Sequence, residues 1–355
     1  MSDAGTRPKE EAAQPPPGVE PTSARWTAFV FQDGVILCTT LSALSQLEIL
    51  EPSLRGERCV TDLHPGLTRA GFGYLRVGLR TLAAQGWLAD PPTLDARTTA
   101  LRWTDAGREA ADYRDRYIAA GRFLAQFPSN DADAWSQPWN RDQDRAFLDL
   151  LPLADDRWEL GPDLPPLTRA LITTHLDAGL IVPVMLWLRE TGGLGEQRPL
   201  LGGGEVGQGM SRLLTAVGWL DAETGTWTEA GRAGAASSIH FGMAASYLPL
   251  LAQLAQLYSD GAPVAAGPVE RDWHVHRGLN VGASAAAHTR YFADADAIFS
   301  DLFDREPVKA QPRFVADMGC GDGSWLVRLH RLITERTRRG QPPNQAPLMV
   351  GLDKQ

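Results

Sequence analysis

Apolar residues recur at helical spacing through most of this chain and at strand spacing only in short runs near its C-terminus. Leu75, Leu79 and Leu82 share one face of a predicted helix, and Gly86 stands where its C-terminal stop belongs. Trp325, Leu326, Leu329, Leu332 and Ile333 mark a second face, on a helix predicted from about Ser324 to Arg339. Arg336, Arg338 and Arg339 suit the negative end of that helix, and Gly340 closes it. The runs Phe314–Met318 and Leu348–Leu352 flank it and read as strands. Tyr291, Phe292, Ile298, Phe299, Leu302 and Phe303 are predicted to pack from an amphipathic helix ahead of the first strand.

The N-terminal two thirds contain a duplication. Gly86-Trp87-Leu88 recurs as Gly218-Trp219-Leu220, and Trp103-Thr104-Asp105-Ala106-Gly107-Arg108 as Trp227-Thr228-Glu229-Ala230-Gly231-Arg232, in the same order. The first copy is longer between its tryptophans, where Pro91 and Pro92 suggest an extended hairpin tip. Each copy reads as two helices, a short hairpin and a helix capped by Thr104 or Thr228, which is a winged-helix arrangement. Trp87 with Trp103, and Trp219 with Trp227, are expected to bury a shared aromatic pair. A DNA-binding reading finds thin support: Arg69, Arg76 and Arg80 in one copy and Arg212 in the other.

Composition narrows the classes further. Hydrophobic residues make up 43% and charged residues 22%, as in globular chains. Net charge is −9, which opposes non-specific attraction to nucleic acid or an anionic membrane. No uninterrupted apolar run reaches the roughly 18 residues of a bilayer span, so no membrane association is expected. Cys38, Cys59 and Cys320 are too few and too unevenly spaced for a disulfide framework or zinc knuckle, and a cytoplasmic location is expected. The proline-rich start and the stretch Gly261–Pro268 read as tail and linker.

The chemistry concentrates near the C-terminus. Strand, glycine turn, helix and strand form the first half of a nucleotide-binding α/β unit, with Asp317, Gly319, Cys320, Gly321, Asp322 and Gly323 at the turn and Asp353 ending the second strand. Gly319-x-Gly321-x-x-Ser324 loosely matches a dinucleotide fingerprint. Asp322, however, would set a carboxylate against the pyrophosphate at the helix N-terminus. S-adenosylmethionine carries a sulfonium and an ammonium instead, so both acids are tolerated or helpful.

The pattern Asp317-x-Gly319-x-Gly321-x-Gly323, with an acid ending the next strand, resembles the first motifs of class I S-adenosylmethionine-dependent methyltransferases. The resemblance implies that Gly319 and Gly321 let the backbone approach the methionine part. It also implies that Asp317 binds its ammonium and that Asp353 takes both ribose hydroxyls. The stretch from Gly278 to Phe292 and its spacing to the glycine turn look like the C-methyltransferases associated with modular polyketide synthases. Those act on acyl groups held by an acyl carrier protein. Some use a mononuclear iron or manganese ion, whose ligands would here lie outside this chain. His288, Arg290 and Tyr291 are candidate cofactor-covering residues, Arg290 as a partner of the methionine carboxylate; the alternative for this segment is the amphipathic packing helix, with Tyr291 on its inner face. His274, His276 and His288 lack a completing carboxylate and Cys set, so no metal ligand is assigned.

The expected architecture is a mostly α N-terminal region with two tandem winged-helix-like modules, followed by an incomplete α/β Rossmann-like methyltransferase core. The boundaries are a disordered tail over 1–24, modules over 25–125 and 126–260, a linker over 261–268 and the core over 269–355. The adenine-binding loop and any general base are expected beyond Gln355, and no catalytic residue is assigned. C-methylation of a carrier-bound acyl unit is the favoured reading, with a small-molecule acyl substrate and a homodimer left open. O-methylation of a small secondary metabolite is one alternative, and a non-enzymatic winged-helix regulator or catalytically dead fragment is the other; with the second half of the catalytic domain missing, this chain alone is expected to be inactive.

Overall fold

A computed structural model describes residues 24–89, 100–263, 272–305 and 307–353, with the side chains of residues 24–26, Thr289 and Arg290 excepted. Nearly all of the expected tail, the Pro91-Pro92 hairpin tip and most of the expected linker lie outside the described residues. Contacts divide the chain into one unit ending at His276 and another beginning at Arg277.

The first unit is mostly helical: α1 (Ala24–Gln46), α2 (Leu50–Leu54), α3 (Val60–Leu63), α4 (Arg69–Ala84), α5 (Asp105–Ala111), α6 (Arg114–Leu124), α7 (Arg141–Asp155), α8 (Pro166–Glu190), α9 (Gly204–Ala216), α10 (Glu229–Ala245), α11 (Leu248–Leu251) and α12 (Leu254–Asp260). Two-residue strands β1 (Arg58–Cys59) and β2 (Ala100–Leu101) pair antiparallel. Helix α1 packs on α6, α8 and α10, so both copies of the repeat contribute to a common core. Three glycines set this packing. A Cβ on Gly34 of α1 would collide with the His175 carbonyl and Ala178 of α8, one on Gly121 of α6 with the Cys38 carbonyl of α1, and one on Gly179 of α8 with Ala120 of α6.

Thr27–Gln46 and Pro166–Glu190 are long and apolar enough to cross a bilayer by length and composition, although neither is an uninterrupted apolar run. Both are mostly buried within the protein. Polar residues interrupt their apolar runs but are themselves buried: Thr39, Thr40 and Ser42 on α1, His175 and Asp177 on α8. Thr39 donates to the Val35 carbonyl at 3.0 Å, and Tyr117 Oη lies 3.2 Å from His175 Nδ1. Burial lowers the pKa of His175 to about 3 and pushes the Cys38 thiol up.

Between α7 and α8 the backbone turns left-handed at three successive non-glycine residues, Arg157, Trp158 and Glu159, with φ of 47°, 67° and 49°. Such positions cost about 1–3 kcal/mol each and persist only where surroundings enforce them. Asp177 of α8 does so here. Arg157 donates to both its carboxylate oxygens at 3.2 and 2.7 Å, and the fully buried Trp158 indole donates at 2.8 Å. Arg116 of α6 donates to the Trp158 carbonyl at 3.1 Å and to the Glu159 carboxylate at 3.0 Å.

Among the described residues, the repeated motifs take the same geometry in both copies. Gly86 and Gly218 turn left-handed after α4 and α9, and Leu88 bridges Trp103 as Leu220 bridges Trp227. Thr104 and Thr228 accept from the Gly107 and Gly231 amides at 3.0 Å and donate to the Gly86 and Gly218 carbonyls at 2.6 and 2.7 Å. Gly107 and Gly231 leave no room for a Cβ against the Trp87 and Trp219 carbonyls, which explains the repeated Ala-Gly.

All four tryptophans are buried, but the expected Trp–Trp pairs do not form. Neighbouring strand residues face opposite ways, so Trp103 shares a face with its bridge partner Leu88 and not with Trp87. Trp87 meets Tyr117 edge-on at 5.6 Å, while Trp103 donates to Ser53 at 3.0 Å. Trp219 stacks on Phe31 at 6.1 Å, while Trp227 donates to the Leu194 carbonyl at 2.9 Å.

The second unit comprises α13 (Arg277–Asp304), β3 (Phe314–Met318), α14 (Ser324–Arg336) and β4 (Leu348–Leu352). β3 and β4 pair in parallel, with Phe314 opposite Leu348 and Met318 opposite Leu352. Phe303, Leu329, Leu332 and Ile333 form the core, joined by Phe299, Leu302, Val315, Trp325 and Met349. Tyr291 and Ile298, expected on the packing face of α13, are instead 61% and 68% exposed, because Phe292, Phe299 and Phe303 take the inner stripe. Helix α14 stops at Arg336, short of the expected Arg339. Thr337 turns extended there, and its hydroxyl donates to the Ile333 carbonyl at 2.8 Å.

Trp219→Ala removes a buried ring stacked on Phe31 and lying over Gly234. It should cost about 3–5 kcal/mol, measured by denaturant unfolding of the chain. A loss under about 1 kcal/mol would mean the ring carries little packing.

Because the folded pKa of His175 is depressed, the unfolded state binds the extra proton between about pH 6.5 and 3. Stability should therefore fall as pH drops through that window, by up to about 1.4 kcal/mol per pH unit from this group. Asp33 and Asp177, whose carboxyls burial pushes up, act in the opposite direction. The comparison to make is thus between the chain and His175→Gln: the variant should be less stable at pH 7 and show a flatter loss toward pH 5.

Candidate cofactor site

β3 delivers the chain into a turn that only glycine adopts readily. Gly319, Gly321 and Gly323 have φ of 86°, 58° and 73°. The Gly319 and Cys320 amides donate to the Leu352 carbonyl at 2.6 and 3.3 Å, which ties the turn to the end of β4. A Cβ at Gly319 or Gly323 would meet no atom within 4 Å, so the backbone there is open to an approaching ligand. The Cys320 side chain points the other way, to a place where a Cβ on Gly351 would stand 2.9 Å from its sulfur.

The acids take different positions around this turn. Asp317 is half-buried within β3, opposite Gly351. Asp322 accepts from the Ser324 amide at 2.9 Å, and hydrogen bonds from Ser324 hold its carboxyl below the usual range. An ionised carboxylate thus occupies the N-terminus of α14, where a pyrophosphate would otherwise sit. Asp353 accepts from the Gly321 amide through one carboxylate oxygen and from the Arg277 guanidinium through the other. Val281, one turn along α13 from Arg277, lies 3.4 Å from where a Gly321 Cβ would be. An open glycine backbone with a carboxylate already at the helix terminus disfavours a phosphate there.

His288 and Tyr291 lie elsewhere on α13. His288 Nδ1 is 3.5 Å from the Ser284 hydroxyl, and its ring stands 5.8 Å from Tyr291 and 6.3 Å from Phe292. Phe292 in turn stacks on Trp325 at 6.2 Å. Seven helical residues, about 10 Å along the axis, separate His288 from Val281 at the turn. The Arg290 side chain is outside the described residues. Among the described residues, no group of three or more His, Cys, Asp or Glu is placed to hold a metal ion.

Two family matches meet this geometry. Residues 272–355 match a methyltransferase family described as the AprA MT2-like domain, and residues 24–90 match the AprA N-terminal domain. The C-terminal unit is methyltransferase-like. An AprA-type methyltransferase domain supports methyl transfer in general and implies S-adenosylmethionine as its cofactor. No curated protein matches the chain.

Arg277 is the site residue that sequence reasoning misses. It precedes Asp353 by 76 positions and belongs to no motif, so only the fold brings the pair together. Gly351 carries a weak signal, a glycine inside a strand, which marks a close approach.

Gly351→Ala should force Cys320 or Leu326 to shift and cost about 1–3 kcal/mol, read as faster amide hydrogen exchange across β3 and β4. Pairing it with Cys320→Ala should recover part of that loss, leaving at least about 0.5 kcal/mol of coupling. Strictly additive effects would rule out the contact.

Proposed function

We propose that this chain serves S-adenosylmethionine-dependent methylation of a carbon in an acyl unit held by an acyl carrier protein. The observation that carries the cofactor part is the carboxylate of Asp353, bonded to the Gly321 amide at the edge of an open, left-handed glycine backbone. The acyl and carrier part rests on the resemblance of residues 272–355 to polyketide-associated C-methyltransferases and on the two AprA matches within one chain.

When bound, the cofactor supplies an electrophilic methyl on a sulfonium sulfur. In this reading Asp353 accepts from the ribose hydroxyls, Gly319 and Gly323 let the methionine part lie against the backbone, and Asp317 faces its ammonium. Asp322 adds negative potential that favours a sulfonium over a phosphate. Methyl transfer would then need an acceptor carbon that has given up a proton, held in line with the sulfur–methyl bond; that bond breaks with its electron pair left on sulfur as the new carbon–carbon bond forms. The protein's main contribution is alignment.

The reading takes the duplicated copies, each a helix, a glycine turn, a bridged hairpin and a Thr-capped helix, as winged-helix-like modules that contact protein. Arg212, the candidate phosphate contact of the second copy, is engaged by Asp155, which argues against DNA.

Asp353→Ala should weaken S-adenosylmethionine binding by about 1.5–3 kcal/mol, the scale of lost charge-assisted hydrogen bonds. Saturation-transfer NMR on the chain reads this even at weak affinity. Equal signal from chain and variant would remove Asp353 from the site.

A further inference from the structure

The carboxylate that the proposed function gives to the ribose already accepts from at least two groups. One oxygen of Asp353 accepts from the Gly321 amide, and the other from Arg277, the first residue of α13. The side chains of Arg277 and Asp353 are 39% and 20% exposed, so the pair is reachable by solvent and by a ligand. Val281 continues the same contact one turn further along, against Gly321. The start of α13 therefore bears on the turn at two points, one ionic and one apolar.

We propose that Arg277 is a latch on cofactor entry. Resting on the proposed role of Asp353, Arg277 competes for access to the carboxylate. A carboxylate accepts at about four positions, two on each oxygen; the Gly321 amide takes one on one oxygen, and the broad, planar guanidinium of Arg277 lies against the other, where one of the two ribose hydroxyls has to reach. Ribose binding then displaces Arg277, and displacement releases the first turn of α13 from Asp353. Arg277 is thus a positioning residue: in the cofactor-free chain it orients the carboxylate and holds α13 near the glycine turn. The pair is partly exposed, so its net strength is modest and a ligand can displace it.

An uncharged probe separates this role from general electrostatics. 5′-Methylthioadenosine carries the ribose without the amino acid or sulfonium charge, so salt acts on its binding chiefly through the latch. Arg277→Gln should bind the probe about 2- to 5-fold more tightly than the unaltered chain, as expected for losing a competitor worth up to about 1 kcal/mol. Rising salt should tighten binding to the unaltered chain and leave Arg277→Gln flat, while Arg277→Lys should stay near the unaltered chain. Hydrogen exchange at 319–323 should quicken in Arg277→Gln without ligand, while exchange across β3 and β4 stays unchanged and reports an intact fold. Unchanged or weaker probe binding by Arg277→Gln, with Asp353→Asn abolishing it, would overturn the latch and leave the cofactor site standing. No binding by any form, with exchange at 319–323 unmoved, would overturn both.

Discussion

How closely α1, α6 and α8 approach one another governs the first unit. Gly34, Gly121 and Gly179 each remove a Cβ where the next helix arrives, around a closed circuit of three helices. Backbone-to-backbone approach multiplies weak dispersion contacts over long helices. It also buries Cys38, Tyr117 and His175, and their shifted titration follows from that burial. The same approach lets one unit absorb both copies of the repeat, since α1 from the first copy lies against α8 and α10 from the second half.

The second unit solves a different problem with the same residue. Its glycines are placed for conformation, not for packing, and they leave backbone open where a ligand would come. Around them the charges are divided by task. Asp322 is used up by the helix it precedes, Asp317 is held inside the strand pair, and Asp353 stands at the rim with partners that are exchangeable. Of the three, only Asp353 combines exposure with a carboxylate held by groups from two separate elements, α13 and the glycine turn.

Much of this is legible in sequence where its cause is local. The glycine turn, the start of α14 at Ser324, both strands and the Thr caps follow from a few adjacent residues, and the duplication shows wherever Gly-Trp-Leu and Trp-Thr recur. Contacts made across the chain are not legible. The tryptophans announce burial, but their partners Phe31, Tyr117 and Ser53 lie far away in sequence. The long apolar helices are obscured because Thr39, His175 and Asp177 look like solvent-facing residues until the fold buries them. Tyr291 shows the reverse: helical spacing suits it to a packing face, yet its neighbour Phe292 takes the inner position. Arg277 meets Asp353 only through the tertiary fold, so no motif could have named it.

The left-handed turn at Arg157–Glu159 has a consequence in time. Nothing within those three residues favours it, because each pays a steric penalty as soon as the turn forms. What holds it arrives from α6 and α8, through Arg116 and Asp177. The corner is therefore expected to close only after those helices have docked. Interactions made after the rate-limiting step leave the folding rate almost untouched and act on the rate of escape. On that order, removing Asp177 is expected to shorten how long the first unit stays folded more than to slow how fast it gets there.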